Sequence, residues 1–352
     1  MKRSNAALAL LVAGALTCGL GCGDAGSKAG ASAEPAKSGA AAAPGAKSSA
    51  APKGSAAATT DKPKADAPAA AAGVDVLKHM PKDCDEGRVY VNVGKLFAGG
   101  DLGSSLDTIV GKAMAQGKAD DKKAEAVMKT LKEGGVDPLK DIREVAVCAN
   151  KDDKKTVVVV SMEPKAEKPA DVFAKAAEAA TGKAPTKEEK DGATWVQSAE
   201  DKAVMAFVGK NVMLIGEDKE VLGAAIKGGD GASEFGDAKS SIVWAKVDPN
   251  KSKADINMKE VGSDYDLNVK FVGGKDAAKM KEQFEKMLPE VDKAAEQMPF
   301  VKPLLPVAKN GKMAVEGENV TFTTKFPKAA ISEFLKEASK VDPKELVKGL
   351  RF

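Results

Sequence analysis

The chain has 352 residues, with 54 Lys and Arg against 51 Asp and Glu, a net charge of +3, and aromatic residues make up only 4% of it. The two signs are interleaved, as in "KADDKKAEAVMKTLKEGG", which describes solvated helix faces and gives no basic patch for nucleic acid. A single histidine, His79, and four cysteines leave little material for catalytic or metal chemistry, and no cofactor motif is present.

The first residues are Met1-Lys2-Arg3, followed by Ser4-Asn5 and the apolar run Ala6–Leu16. A positive start and an apolar core of about a dozen residues is the layout of a secretory signal peptide. The core is shorter than the roughly 20 residues of a spanning helix. Two cysteines follow, Cys18 after Ala15-Leu16-Thr17 and Cys22 after Gly19-Leu20-Gly21. This stretch resembles the signal of bacterial lipoproteins, in which a small residue precedes a cysteine that is lipidated and becomes the new N-terminus. The resemblance favours Cys22, although Gly19 stands where such signals usually carry Leu. It implies residues 1–21 as signal peptide, a lipid on Cys22 and membrane attachment in the cell envelope. Gly23 after the cysteine, rather than Asp, points to the outer membrane over the inner one. The competing reading is ordinary cleavage after Ala13 or Ala15, releasing a soluble protein. A metal site at Cys18 and Cys22 has no second ligand pair within reach.

Residues 22–72 are Ala, Pro, Gly, Ser and Lys, as in "SGAAAAPGAKSSAAPKGSAAATT", and cannot bury enough apolar area to offset ordering. They read as a disordered linker with a mean reach of roughly 35–40 Å. From Gly73 onward apolar and charged residues alternate over a length that supports a real core.

Periodicity predicts strands at "RVYVNV", "REVAVCAN", "TVVVVSM", "ATWVQS", "KAVMAFV", "NVMLIG", "SSIVWAKV", "DLNVKFV", "KMAVEG" and "NVTFTTKF". Helices are expected at about 104–134, "PADVFAKAAEAA", "DKEVLGAAI", 275–298, "KAAISEFLKEA" and "DPKELVKGL". The stretch from Gly209 lines up with the one from Gly317: Gly209 with Gly317, Val212 with Val320, Leu214 with Phe322. Each is a hairpin followed by a helix, with a strand and helix upstream. The expectation is an α+β fold of two tandem halves, 73–235 and 236–352, with mainly antiparallel sheet and helices packed on it. "NVTFTTKF" alternates and should be covered on one face, whereas "TVVVVSM" and "NVMLIG" do not and should be buried on both. The body resembles secreted bacterial proteins of uncharacterised function in its strand and hairpin pattern.

Candidate site residues are few. Cys84 and Cys148, the only cysteines of the body, suggest a disulfide in an exported chain, against two buried thiols. By strand parity Tyr90, Trp195 and Trp244 point away from the Val-rich faces of their strands. They are candidates for ligand or partner contact, against filling the space between the halves. His79 reads as a surface histidine. "VDPNKSKADIN" resembles the start of a calcium loop but has Lys253 and Lys259 where Gly and Glu belong. Asp264, Asp266 and Asn268 read as a solvated strand face, and "KGGDG" as a turn. Two uses follow: a non-enzymatic envelope interaction or structural module, or a periplasmic carrier of an apolar, lipid-like ligand.

Overall fold

The computed structural model describes residues 75–97, 105, 119–199, 202–248, 253–272 and 274–341. The signal, Cys18, Cys22, the linker, residues 104 and 106–118 of the first expected helix, the calcium-like loop at 249–252 and the C-terminal helix lie outside these residues. The described chain is α+β: helices packed on a twelve-stranded, wholly antiparallel sheet.

The strands are β1 (Gly87–Asn92), β2 (Ile142–Ala149), β3 (Val157–Met162), β4 (Thr186–Lys190), β5 (Ala193–Gln197), β6 (Val204–Val208) and β7 (Val212–Gly216) in the first half. The second half supplies β8 (Val243–Val247), β9 (Ala254–Val261), β10 (Asp264–Val272), β11 (Lys312–Glu316) and β12 (Asn319–Pro327). Their order across the sheet is β11-β12-β10-β9-β8-β1-β2-β3-β7-β6-β5-β4. The helices are α1 (Val93–Phe97), α2 (Ala119–Glu133), α3 (Pro138–Asp141), α4 (Pro169–Thr181), α5 (Lys219–Gly228), α6 (Ala277–Gln297), α7 (Leu305–Lys309) and α8 (Lys328–Ala338).

Each half is therefore one arm of a continuous sheet, and the arms meet where β1 pairs with β8. Read outward from that joint, each arm is a three-stranded meander, then a last strand returning beside the third, then its hairpin partner. The first arm adds the β4–β5 hairpin, whose two-residue turn places Asp191 at φ 55° and Gly192 at φ 77°, the positive angles a tight hairpin requires.

The ladders give an alignment of the arms independent of residue identity. Val89 lies opposite Ala245 at the joint, and counting outward matches Cys148 with Asn257, Val159 with Lys270 and Leu214 with Thr321. Gly209 and Gly317 do correspond, each opening its hairpin at positive φ (62° and 61°). The match of Leu214 with Phe322 and Val212 with Val320 is corrected. The β6–β7 turn has three residues and the β11–β12 turn has two. A one-residue slip moves every following side chain to the other face.

One sheet face, here the lower face, carries a helix layer on both arms. On the first arm α4 packs Phe173 against Phe207 of β6 (5.3 Å between centroids), and α2 lies behind α4 through Leu131 and Ala176. On the second arm α6 sets Phe284 against Phe322 of β12 (5.3 Å), and Ala330 and Ile331 of α8 pack with Tyr265 and Phe326. On the upper face, among the described residues, a helix lies over the first arm alone. There α5 seats Leu222 and Ala225 over Val157, Val159, Val212 and Leu214, joined by short 3-10 turns at Val76–His79 and Ala232–Phe235. Asp218 starts α5 by accepting from the amides of Glu220 and Val221 (2.7 and 3.3 Å).

Candidate functional site

The described chain enters the body through Asp75–Lys82. Asp75 caps the Val76–His79 turn by accepting from the Leu77 amide (3.0 Å), and its other oxygen pairs with Lys239 (2.6 Å). Val76, Leu77 and Met80 are buried in the upper-face core. The segment is also stitched along the chain that leaves α5. The Gly229 amide donates to the Lys78 carbonyl (2.7 Å), the Gly231 amide to Met80 (2.9 Å), and the Lys82 amide to Asp230 Oδ1 (3.1 Å). A Cβ at Gly229 or Gly231 would overlap the carbonyl oxygens of Met80 and Pro81, so backbone approaches backbone only because both are glycine. "KGGDG" is thus a docking track as well as a turn.

His79 is corrected from a surface residue to a buried one, 3% exposed. Its Nδ1 lies 2.9 Å from the Ala225 carbonyl of α5, and its Nε2 is buried without a partner. An acceptor at Nδ1 sets the tautomer with the proton there. Burial holds the imidazole below its usual pKa, Lys78 adds to that, and the Ala225 bond and Asp75 oppose it.

Just beyond the segment, Cys84 is bonded to Cys148 of β2, with Cα atoms 5.1 Å apart and a sequence separation of 64. Closing a loop of that length stabilises by about 4 kcal/mol in the chain-entropy account. Neighbouring bonds hold the same point: the Asp85 amide donates to Asn150 Oδ1 (3.2 Å) and the Lys151 amide to Asp85 Oδ1 (2.9 Å).

Tyr90, Trp195 and Trp244 are 0, 3 and 4% exposed and belong to one core cluster, so a contact surface built from them is corrected to core. Parity assigned their face correctly; the cover over that face comes from α5 and the two 3-10 turns. Tyr90 and Trp244 stand opposite each other across the β1–β8 joint, and Phe235 packs on Trp244 (5.4 Å).

Beside Tyr90 lies a polar cluster that sequence reading missed. The Tyr90 hydroxyl donates to Glu144 Oε1 (2.9 Å), and Asn92 Nδ2 reaches the same oxygen at 3.4 Å. Glu144 faces Asn92 across the β1–β2 ladder, next to a register shift between Ile142 and Glu144. Burial raises the Glu144 carboxyl above its usual pKa, against the Tyr90 bond and the charges of Lys239 and Lys95. Burial and then Glu144 itself push the Tyr90 phenol up. A polar residue inside a Val-rich strand, "REVAVC", was the available signal.

Asp266 pairs with Lys325 (3.4 Å) across β10 and β12. Among the described residues no three His, Cys, Asp or Glu side chains gather to hold a metal, and no helix there is long and apolar enough to cross a membrane.

No protein-family model matches the chain, and no curated protein does. Among solved structures, crystal form III of TP0453 is similar over 77% of this chain and 100% of its own, with TM-score 0.44 and 11% identity. Form I is similar over 76% and 98% (0.40, 12% identity), and form IV over 74% and 96% (0.41, 11% identity).

Proposed function

We propose that the chain is exported, lipid-anchored through Cys22, and presents its body at the end of the 22–72 linker as a non-enzymatic interaction or structural module of the cell envelope, at the outer membrane rather than the inner. The observation that carries this reading is the succession of Lys2-Arg3, the apolar Ala6–Leu16, Gly21-Cys22 and some fifty residues without a core-forming pattern. The Cys84–Cys148 bridge supports export, because disulfides form and persist in oxidising compartments.

A carrier of an apolar ligand would need room beside the Val-rich strand β3 and its neighbour β7. Those faces are occupied by protein: Val157, Val159 and Leu214 lie under α5, and Val160 and Met213 pack in the cluster that holds Phe173 of α4. Nothing in that packing favours the carrier.

The test is the mass of full-length protein extracted from membranes, with peptide mapping. The expected result is a diacylglycerol-sized addition on Cys22 and its loss, with release from the membrane fraction, in Cys22→Ala. An unmodified Cys22, or a Cys22→Ala protein still held in the membrane, overturns the anchor.

A further inference from the structure

We infer that residues 75–83 form a detachable strap, latched by the neutral imidazole of His79 and hinged at the Cys84–Cys148 bridge, which releases when that imidazole takes a proton. The inference goes beyond the anchoring reading and holds whether or not Cys22 carries a lipid.

The latch follows from the geometry of one ring. Nδ1–H donates to Ala225 and satisfies that carbonyl, while Nε2 sits buried and unpartnered. A neutral ring tolerates this, since a lone pair without a donor is a modest cost. A protonated ring would bury a second N–H with no acceptor, and a charge with it. The surrounding charges do not rescue it. On its own turn Lys78 repels, and the Asp75 carboxylate that attracts is engaged with Lys239. Behind α5, Asp230 accepts from the Lys82 amide. On α5 itself Glu220 and Lys227 are exposed, the latter paired with Asp191 (3.7 Å), and Glu234 on the Ala232–Phe235 turn is exposed. Strands β2 and β3 bring Cys148, Val157 and Val159 to the cluster, all apolar. The ring gains solvation for its charge only by leaving.

The hinge follows from what does not move. Cys84 is covalently tied to β2, and Asp85 is held by Asn150 and Lys151. Release of the strap therefore stops at Cys84, and β1 keeps its place between β8 and β2. What opens is the apolar floor under Val76, Leu77 and Met80, beside Phe235 and Leu222.

Hydrogen exchange on the full chain, read by mass spectrometry at pH 7.5 and 5.5 and corrected for intrinsic exchange, tests this. The Gly229 and Gly231 amides report docking directly, because their acceptors are Lys78 and Met80 of the strap. The expected result is a loss of protection at these amides of up to about tenfold at pH 5.5, one unit below the free imidazole pKa of about 6.5, with β3 and β7 unchanged. His79→Gln, which keeps a donor for Ala225 but cannot be charged, should show equal protection at both pH values. Unchanged protection in the parent, or the same pH-dependent loss in His79→Gln, overturns the latch. Should that variant fail to fold, proton NMR of the only histidine in the chain decides. A midpoint well below about 6.5 supports the latch, and one at or above it overturns it.

Discussion

The two arms of the sheet share a strand order and differ in what lies on the upper face. On the first arm that face is Cys148, Val159 and Leu214, closed over by α5 and the 75–83 strap. At the ladder-matched positions the second arm carries Asn257, Lys270 and Thr321, with no helix layer among the described residues. The cause is local. Two residues, Glu217 and Asp218, separate β7 from α5 and let that helix cross to the upper face. Helix α8 follows β12 directly at Lys328 and stays on the lower face with Tyr265 and Phe326. The lesson is that one backbone plan supports either a half-exposed or a fully buried sheet, and the linker after its last strand decides which. Side chains then follow the cover: Lys325 pairs with Asp266, and Lys259 reaches Asp237 (2.7 Å), on the open face.

Matched truncations should separate the arms most. Leu214→Ala removes a fully buried side chain with cover on both faces and should destabilise by about 3 kcal/mol. Thr321→Ala, at the matching position of the other arm on the open face, should stay within about 0.5 kcal/mol. Urea unfolding of both variants at unchanged m-value measures the pair. Equal losses would mean that something covers the second arm's upper face as well.

Copying the covered face onto the open one should have a smaller effect on stability and a visible one on association. Asn268, Lys270 and Thr321 match Val157, Val159 and Leu214, and Lys270 lies directly opposite Thr321. The triple change to Val should shift the unfolding midpoint by about 1 kcal/mol or less, yet create a contiguous exposed apolar patch. Sedimentation should show concentration-dependent association beyond that of the parent. Its absence would break the claim that this face is open.

Much of this architecture was legible because cover leaves its mark on periodicity. The unbroken "VVVV" of β3 announced two buried faces, and the alternation in β12 announced one. Two strands were not read. All five residues of β4, "TKEEK", are exposed, so no apolar period exists; only the Asp191-Gly192 turn marked it. In β9, Ile256 and Met258 are the only large apolar residues before Val261, beside a loop with calcium-like spacing. The site was harder still. His79 meets Ala225 across 146 residues and Cys84 meets Cys148 across 64. A pairing of cysteines can be suggested by their number, whereas a histidine's burial depends on a helix that the neighbouring sequence does not mention.

Glu144 gives the smallest expected effect and the most specific one, because its signature is a slope. Its carboxyl is raised above the usual value, so the native state binds that proton more tightly than the unfolded chain. The stability it contributes is therefore full below the unfolded pKa of about 4.3 and is lost as pH rises through the higher native value. At neutral pH the native state bears the cost of a half-buried charge. Glu144→Gln keeps an oxygen to accept from the Tyr90 hydroxyl and Asn92 amide while removing that charge. The variant should match or exceed the parent in stability at pH 7, converge with it below pH 4, and lose this group's share of the pH dependence between. Unfolding curves at pH 4, 5.5 and 7 read all three. A variant weaker than the parent at pH 7 alone would mean that Lys239 and Lys95 outweigh burial, and that the covered arm holds this carboxylate for its charge.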